Sequence, residues 1–177
     1  MDFTEDMGRA MRELTDKGAF LSVKSARGVN TMTVSWGFIG MIWAKPHFIV
    51  LVRPQRHTKK ILEKADSFTV SIPYGVGFKE RLAVCGSESG ADTDKSAIVE
   101  FAAARKVDSP VVAGCGRYYE CKISMAQRLD GDLVAESIKK RFYHDDFHIM
   151  YFGEIVASYG GNGEPGTGFE KRTPNLL

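Results

Sequence analysis

A succession of strand-forming runs, separated by short helices and tight turns, constrains this chain more than any other feature of its sequence. Residues 19–24, 30–39 (NTMTVSWGFI), 47–53 (HFIVLVR), 67–72 (SFTVSI), 117–128 and 148–159 (HIMYFGEIVASY) carry many β-branched and aromatic side chains. The 47–53 run is almost continuously apolar, the pattern of a strand buried on both faces. Lys45-Pro46 predicts a turn before it, and Asp130-Gly131 predicts a hairpin returning through a strand at 133–138. Helical spacing is confined to short stretches: 7–14, with Met7, Ala10, Met11 and Leu14 on one face; 58–65, with Ile61, Leu62 and Ala65; 78–84; and 94–104, striped by Ala97, Ile98, Phe101 and Ala102. The stretch 85–92 reads as a Gly/Ser loop. No repeat of strand, helix and parallel strand appears. The pattern therefore predicts a mainly β fold with peripheral α-helices, a β-barrel, in one domain over 1–177 with a C-terminal extension at 160–177.

Charge and cysteine usage narrow the function. Lysine and arginine number 24 against 22 acidic residues, a net charge of +2. Nucleic-acid binders carry a larger basic excess, so no nucleic-acid partner is expected. No run approaches the roughly 20 apolar residues that cross a bilayer, and Met1-Asp2-Phe3-Thr4-Glu5-Asp6 lacks the basic start of a signal peptide. The expectation is a cytoplasmic protein with no membrane partner. Cys85, Cys115 and Cys121 are odd in number and form no C-x-x-C pair, so they read as small buried apolar residues. His144 and His148 lie beside Asp145 and Asp146, but strand-like neighbours deny them the helical spacing of a metal pair, and no metal is expected. The G-x-G-x-x-G at Gly161, Gly163 and Gly166 opens no helix and contains Pro165, so it is no dinucleotide fingerprint.

Three segments could carry chemistry. In VRPQRHTKK (52–60), Arg53, Arg56, Lys59 and Lys60 gather with His57 where a strand gives way to a helix, with no acid among them. Cations there oppose the helix dipole unless an anion sits with them. Arginine forks and the Thr58 hydroxyl suit a phosphate. The same residues also suit a solvated basic turn with Thr58 as N-cap. In CGSESGADTDK (85–95), glycines allow close backbone approach, and Lys95 falls in the first turn of the predicted helix. Asp92 or Asp94 could simply cap that helix. Together, two cation-bearing helix starts suggest one shared anionic ligand. In NTMTVSWG (30–37), alternation turns Thr31, Thr33 and Ser35 to one face and Met32, Val34 and Trp36 to the other. That suits a flat heterocycle, although the usual cause of such alternation is a half-buried strand with Trp36 in the core.

GAFLSVK, NTMTVSWG, KPHFIVLVRPQRHTKKILEKADSFTVSIP, CGSESGADTDK and HIMYFGEIV, in that order, resemble the flavin reductase-like, FMN-binding split β-barrel family, in particular its flavoredoxin-type branch. The resemblance runs from about Gly18 to Val156. It implies that flavin mononucleotide (FMN) is the cofactor. Asn30, Thr31, Met32, Thr33, Val34, Ser35 and Trp36 would line the isoalloxazine. Arg53, Arg56, His57 and Thr58 would hold the phosphate and ribityl chain, and Ser89 and Lys95 would add contacts to the phosphate or ring edge. It further implies a homodimer with FMN at the subunit interface, NADH or NADPH as a possible electron donor, and a free flavin or a redox protein partner as acceptor. His148 would orient the nicotinamide or donate a proton. Two departures bear on the nicotinamide step. Asp146-Phe147-His148 stands where many relatives have Gly-Asp-His, and Tyr118-Tyr119-Glu120-Cys121 stands where a His often precedes the acidic residue. The alternatives are a flavoredoxin-like electron carrier with little NAD(P)H activity, and a non-catalytic split barrel that binds another anionic ligand.

Overall fold

A computed structural model describes residues 2–26 and 28–161. The extension expected at 160–177 lies outside the described residues beyond Gly161, as does most of the glycine motif.

The fold is mainly β. Helix α1 (Met7–Lys17) is followed by β1 (Ala19–Ser25), β2 (Gly28–Val34), β3 (Gly37–Ile42), β4 (Lys45–Val52), α2 (His57–Leu62), β5 (Ser67–Ile72) and α3 (Lys79–Ser87). Two short strands, β6 (Phe101–Ala102) and β7 (Val111–Val112), precede β8 (Arg117–Arg128), α4 (Glu136–Phe142) and β9 (Ile149–Gly160). Seven strands form one antiparallel sheet in the order β2-β1-β5-β8-β9-β4-β3.

Chain connectivity closes this sheet. Its two edges, β2 and β3, are consecutive in sequence and joined only by Ser35 and Trp36. Three Cα steps span at most about 11 Å, so the end of β2 and the start of β3 must lie close together. Leu51 N donates to Trp36 O at 3.2 Å, which carries the β3–β4 ladder one residue back into this link. The result is a barrel with a split between β2 and β3, and the predicted single strand over 30–39 is in fact two strands interrupted at that split.

Alternation along β1 shows how the core is partitioned. Ala19, Leu21 and Val23 point into the barrel with Phe48, Val50, Phe68, Val70 and Tyr119, where Ala10 and Leu14 of α1 join them. Phe20 points outward, to a second cluster with Phe78, Leu82, Cys85, Val99, Val112 and Cys115. The three cysteines are free and buried, as expected.

Other local expectations are corrected. The turn before β4 is at Trp43-Ala44, both with positive φ, rather than at Lys45-Pro46. Their φ values of 52° and 58° give the twist that a two-residue hairpin needs. The predicted helix at 94–104 shrinks to one 3-10 turn, Lys95–Ala97, because Val99 is drawn into the outer core and the chain extends into β6. Asp130-Gly131 opens a 3-10 turn, Gly131–Leu133, and the predicted strand at 133–138 is replaced by α4. The strand that pairs with β8 is instead β9. β5 pairs only with Arg117 to Lys122 of β8. The upper halves of β8 and β9 thus extend past β5, and the connector carrying α4 lies across the split.

Candidate functional site

Two neighbouring hollows follow the split. One, of about 300 Å³, is lined by Met32, Thr33, Val34, Ser35, Trp36, Leu51, Arg53, Arg56, Gly86 and His148. The other, of about 120 Å³, includes Asn30, Thr31, His57, Thr58, Ser89 and Gly90, and shares Met32 and Arg56 with the first. Every site residue named from the sequence except Lys95 lines one or the other. Residues scattered over four segments of the chain meet here because β2 leaves the sheet at the split while α2, the end of α3 and the start of β9 converge on it.

The larger hollow is aromatic at its mouth. Trp36, 37% exposed, meets Phe142 edge-on with ring centroids 5.3 Å apart, and lies 5.0 Å from the His148 ring. Ser35 falls outside the strand pairing on either side, whereas Trp36 O accepts from Leu51 N as the β3–β4 ladder begins.

At the other end, Asn30 and Thr58 are both buried, and Asn30 Nδ2 donates to Thr58 Oγ1 at 2.9 Å. That bond uses Thr58 as an acceptor and leaves its proton free to donate. Gly90 approaches Asn30 so closely that a Cβ there would collide with the Asn30 side chain. A glycine is therefore required where this loop meets β2.

The cations are placed differently from the sequence expectation. Arg56 Nη1 donates to Gly86 O at 2.7 Å and Nη2 to Cys85 O at 3.3 Å. Lys95 Nζ donates to Glu88 O at 3.0 Å and Val84 O at 3.3 Å, and the side chain is buried behind the hollow wall. Both therefore sit at the C-terminal end of α3, where the dipole welcomes positive charge. Burial lowers the pKa of each. The premise of two cation-bearing helix starts thus holds for α2 alone. Arg53 forms an ion pair with Asp146 and donates to Phe142 O at 2.8 Å, which fastens the connector over the hollow. Lys59 pairs with Glu63. Among the described residues there is no cluster of metal-ligating side chains.

His148 is nearly buried, with Nδ1 3.0 Å from the Tyr143 hydroxyl. Burial first, then the Arg53 charge, push its pKa down from 6.5 to about 4. The unfolded chain takes up this proton near 6.5 while the folded protein resists it until about 4. Stability is therefore full above pH 6.5 and is lost as the pH falls towards 4. The melting temperature should decline across that interval, and His148→Gln should flatten the decline. A titration of melting temperature against pH for both proteins checks this.

Several site residues carried no sequence signal. Gly86 was hidden in a stretch read as loop, whereas it lies in the last turn of α3. Phe142 and Tyr143 come from a connector with no useful periodicity. Nothing local to Asp146 signals its role with Arg53 and Gln55, which is set by contacts over 90 residues away in sequence.

The sequence model of the flavin reductase like domain matches residues 11–174. Among solved structures, this chain is similar to the FMN-binding protein from Thermus thermophilus with bound p-hydroxybenzaldehyde, at 25% identity and a TM-score of 0.65, covering 82% of this chain and 72% of that one. It is also similar to flavoredoxin from Methanosarcina acetivorans (21% identity, TM-score 0.66, 84% and 73% covered) and to the NADH:FAD oxidoreductase of Streptomyces globisporus C-1027 (15% identity, TM-score 0.64, 93% and 87% covered). The last two likenesses concern the fold.

Proposed function

Because the chain belongs to the flavin reductase-like domain family, we propose that it is an FMN-dependent oxidoreductase that takes electrons from NADH or NADPH and delivers them to a free flavin or a redox protein. The observation that carries this is the junction of the two hollows at Arg56: one end aromatic, the other bearing a guanidinium and a hydroxyl proton. That polarity matches a flat ring joined to a phosphate. Bound FMN would supply hydride acceptance and electron release.

This chain's residues have separable tasks in that reading. Arg56, Thr58, His57 and Ser89 hold the phosphate end. Asn30 to Trp36 line the ring, polar groups at its edge and Trp36 against its face. Arg53 holds the connector that limits water at the mouth, and His148 faces the second substrate. A second copy of the chain would complete the site by covering Phe38, Met41 and Trp43, which are exposed on and just beyond the edge strand that leaves the split.

Phe142 resting on Trp36 favours a second reading. In this reading Phe142, set edge-on against Trp36, would narrow the mouth to a nicotinamide, as suits an electron carrier that receives electrons from a protein. Anaerobic stopped-flow mixing of the FMN-loaded protein with NADH and then NADPH decides between them. Bleaching of the flavin's visible band within the turnover time supports the reductase. A stable oxidised spectrum with both nucleotides rejects it and leaves the carrier.

A further inference from the structure

The Tyr143–His148 pair has chemistry beyond orientation. The turn that bears Tyr143 is held at several points: Arg53 grips Phe142 O and Asp146, Gln55 Nε2 donates to Asp146 Oδ2 at 3.1 Å, and Asp146 Oδ1 accepts from His144 N at 3.1 Å. These contacts, the His144 amide foremost, hold the Asp146 carboxyl well below the usual carboxylate range, so it stays charged. The Tyr143 ring stacks on Phe147 at 4.7 Å and meets the His148 ring edge-on at 5.5 Å. Its hydroxyl therefore has little freedom to leave His148 Nδ1.

The direction of that bond follows from the two groups. A phenol is a stronger donor than acceptor, and a neutral imidazole nitrogen is a strong acceptor. Burial, foremost, raises the Tyr143 pKa, so the phenol keeps its proton. The charged groups around His148 are Arg53 and Asp146. Arg53 opposes a second proton on the ring, and Asp146 is already engaged by Arg53. His148 is left neutral, with Nδ1 accepting and the single ring proton on Nε2.

We infer that Tyr143 is a positioning residue that fixes His148 as the Nε2–H tautomer, so that the mouth of the larger hollow presents a hydrogen-bond donor and selects substrates with a carbonyl or amide oxygen at that point. The substrate part rests on the proposed flavin chemistry; the tautomer does not.

The test uses the full chain with 15N-labelled histidine, FMN-loaded, observed by long-range 1H–15N correlation. The wild type should show His148 in the Nε2–H form alone from pH 6 to 8. Tyr143→Phe should turn this into a mixture of tautomers while its circular dichroism spectrum stays that of the wild type. Nicotinamide added as the probe should shift the His148 Nε2 resonance in the wild type and shift it less in the variant. A wild-type Nδ1–H form, or an unchanged tautomer in Tyr143→Phe, overturns the inference. An Nε2 resonance unmoved up to the solubility limit of nicotinamide overturns its carbonyl part. Failure of both NADH and NADPH to bleach the flavin would instead sink the proposed reductase and leave the tautomer result standing.

Discussion

Replacing Arg56 and Thr58 together by alanine is expected to weaken FMN binding by about a thousandfold, as charge-assisted hydrogen bonds to phosphate contribute roughly 1.5–3 kcal/mol each. Arg56 is the larger contributor because its guanidinium is already immobilised. Two carbonyls at the end of α3 fix its plane before any ligand arrives, so little side-chain entropy is lost on binding. Thr58 is fixed in the same way by Asn30 Nδ2. Thr58→Ser keeps both the acceptor and the proton and should bind within about threefold of the wild type, well below the tenfold that 1.4 kcal/mol represents. The measurement is fluorescence titration of the apoprotein with FMN, alongside thermal unfolding without ligand. Arg56→Ala also leaves the Cys85 and Gly86 carbonyls without that donor, so a modest loss of stability is expected, about 1 kcal/mol. Unchanged affinity in the double variant removes the phosphate assignment, whatever happens to stability.

Placement of the cations shows why the sequence could locate this site and still misread its physics. The run VRPQRHTKK marks the corner of the fold where the two hollows meet, because a strand end followed by a helix start is a local pattern. What each cation does there depends on α3 and on the connector after β8, which come from distant stretches of chain. Arg56 and Lys95 turn to the carbonyl end of α3, an end that could not be foreseen while 85–92 read as loop. Arg53 turns to Asp146, 93 positions on. Strands rich in β-branched and aromatic residues, such as β4, β5 and β9, were legible because that composition suits a buried pleated surface whichever neighbours cover it. The segments that misled, 94–104 and 130–138, have apolar residues at spacings compatible with more than one element. There burial of Val99 and the reach of the β8–β9 pair decide the outcome, not propensity. Even the closure of the barrel has a sequence basis visible only after topology is known: a run read as one strand turns out to be the two edges of a sheet joined by Ser35 and Trp36.

Glu120 should prove the most costly polar residue to remove outside the site. It is fully buried in the middle of the sheet region, on β8 opposite Thr69 of β5. Its Oε1 accepts from Arg105 N and from the Tyr159 hydroxyl, each at 2.7 Å, and its Oε2 from Lys106 N at 2.6 Å. The Arg105 guanidinium lies 3.5 Å from the centre of the Tyr159 ring. One side chain thus pins the loop between β6 and β7 to the barrel through two backbone amides. Alanine would take the acceptor from three part-buried donors, at about 1–3 kcal/mol each before relaxation. Exposure of the loop will recover part of this, so a net loss of about 4 kcal/mol is expected. For a chain of this size that lowers the melting temperature by roughly 8–16 °C. Glutamine separates charge from geometry. Its oxygen can still take Arg105 N and Tyr159, but its NH2 group must face the Lys106 amide, donor against donor, so Glu120→Gln should lose about half as much. Calorimetric unfolding of the two variants beside the wild type reads the order directly. A Glu120→Ala protein melting within about 2 °C of the wild type would mean that the loop is not held by this carboxylate. Because Glu120 lines neither hollow, FMN affinity measured well below the melting temperature should stay at the wild-type value, the opposite signature to that of Arg56 and Thr58.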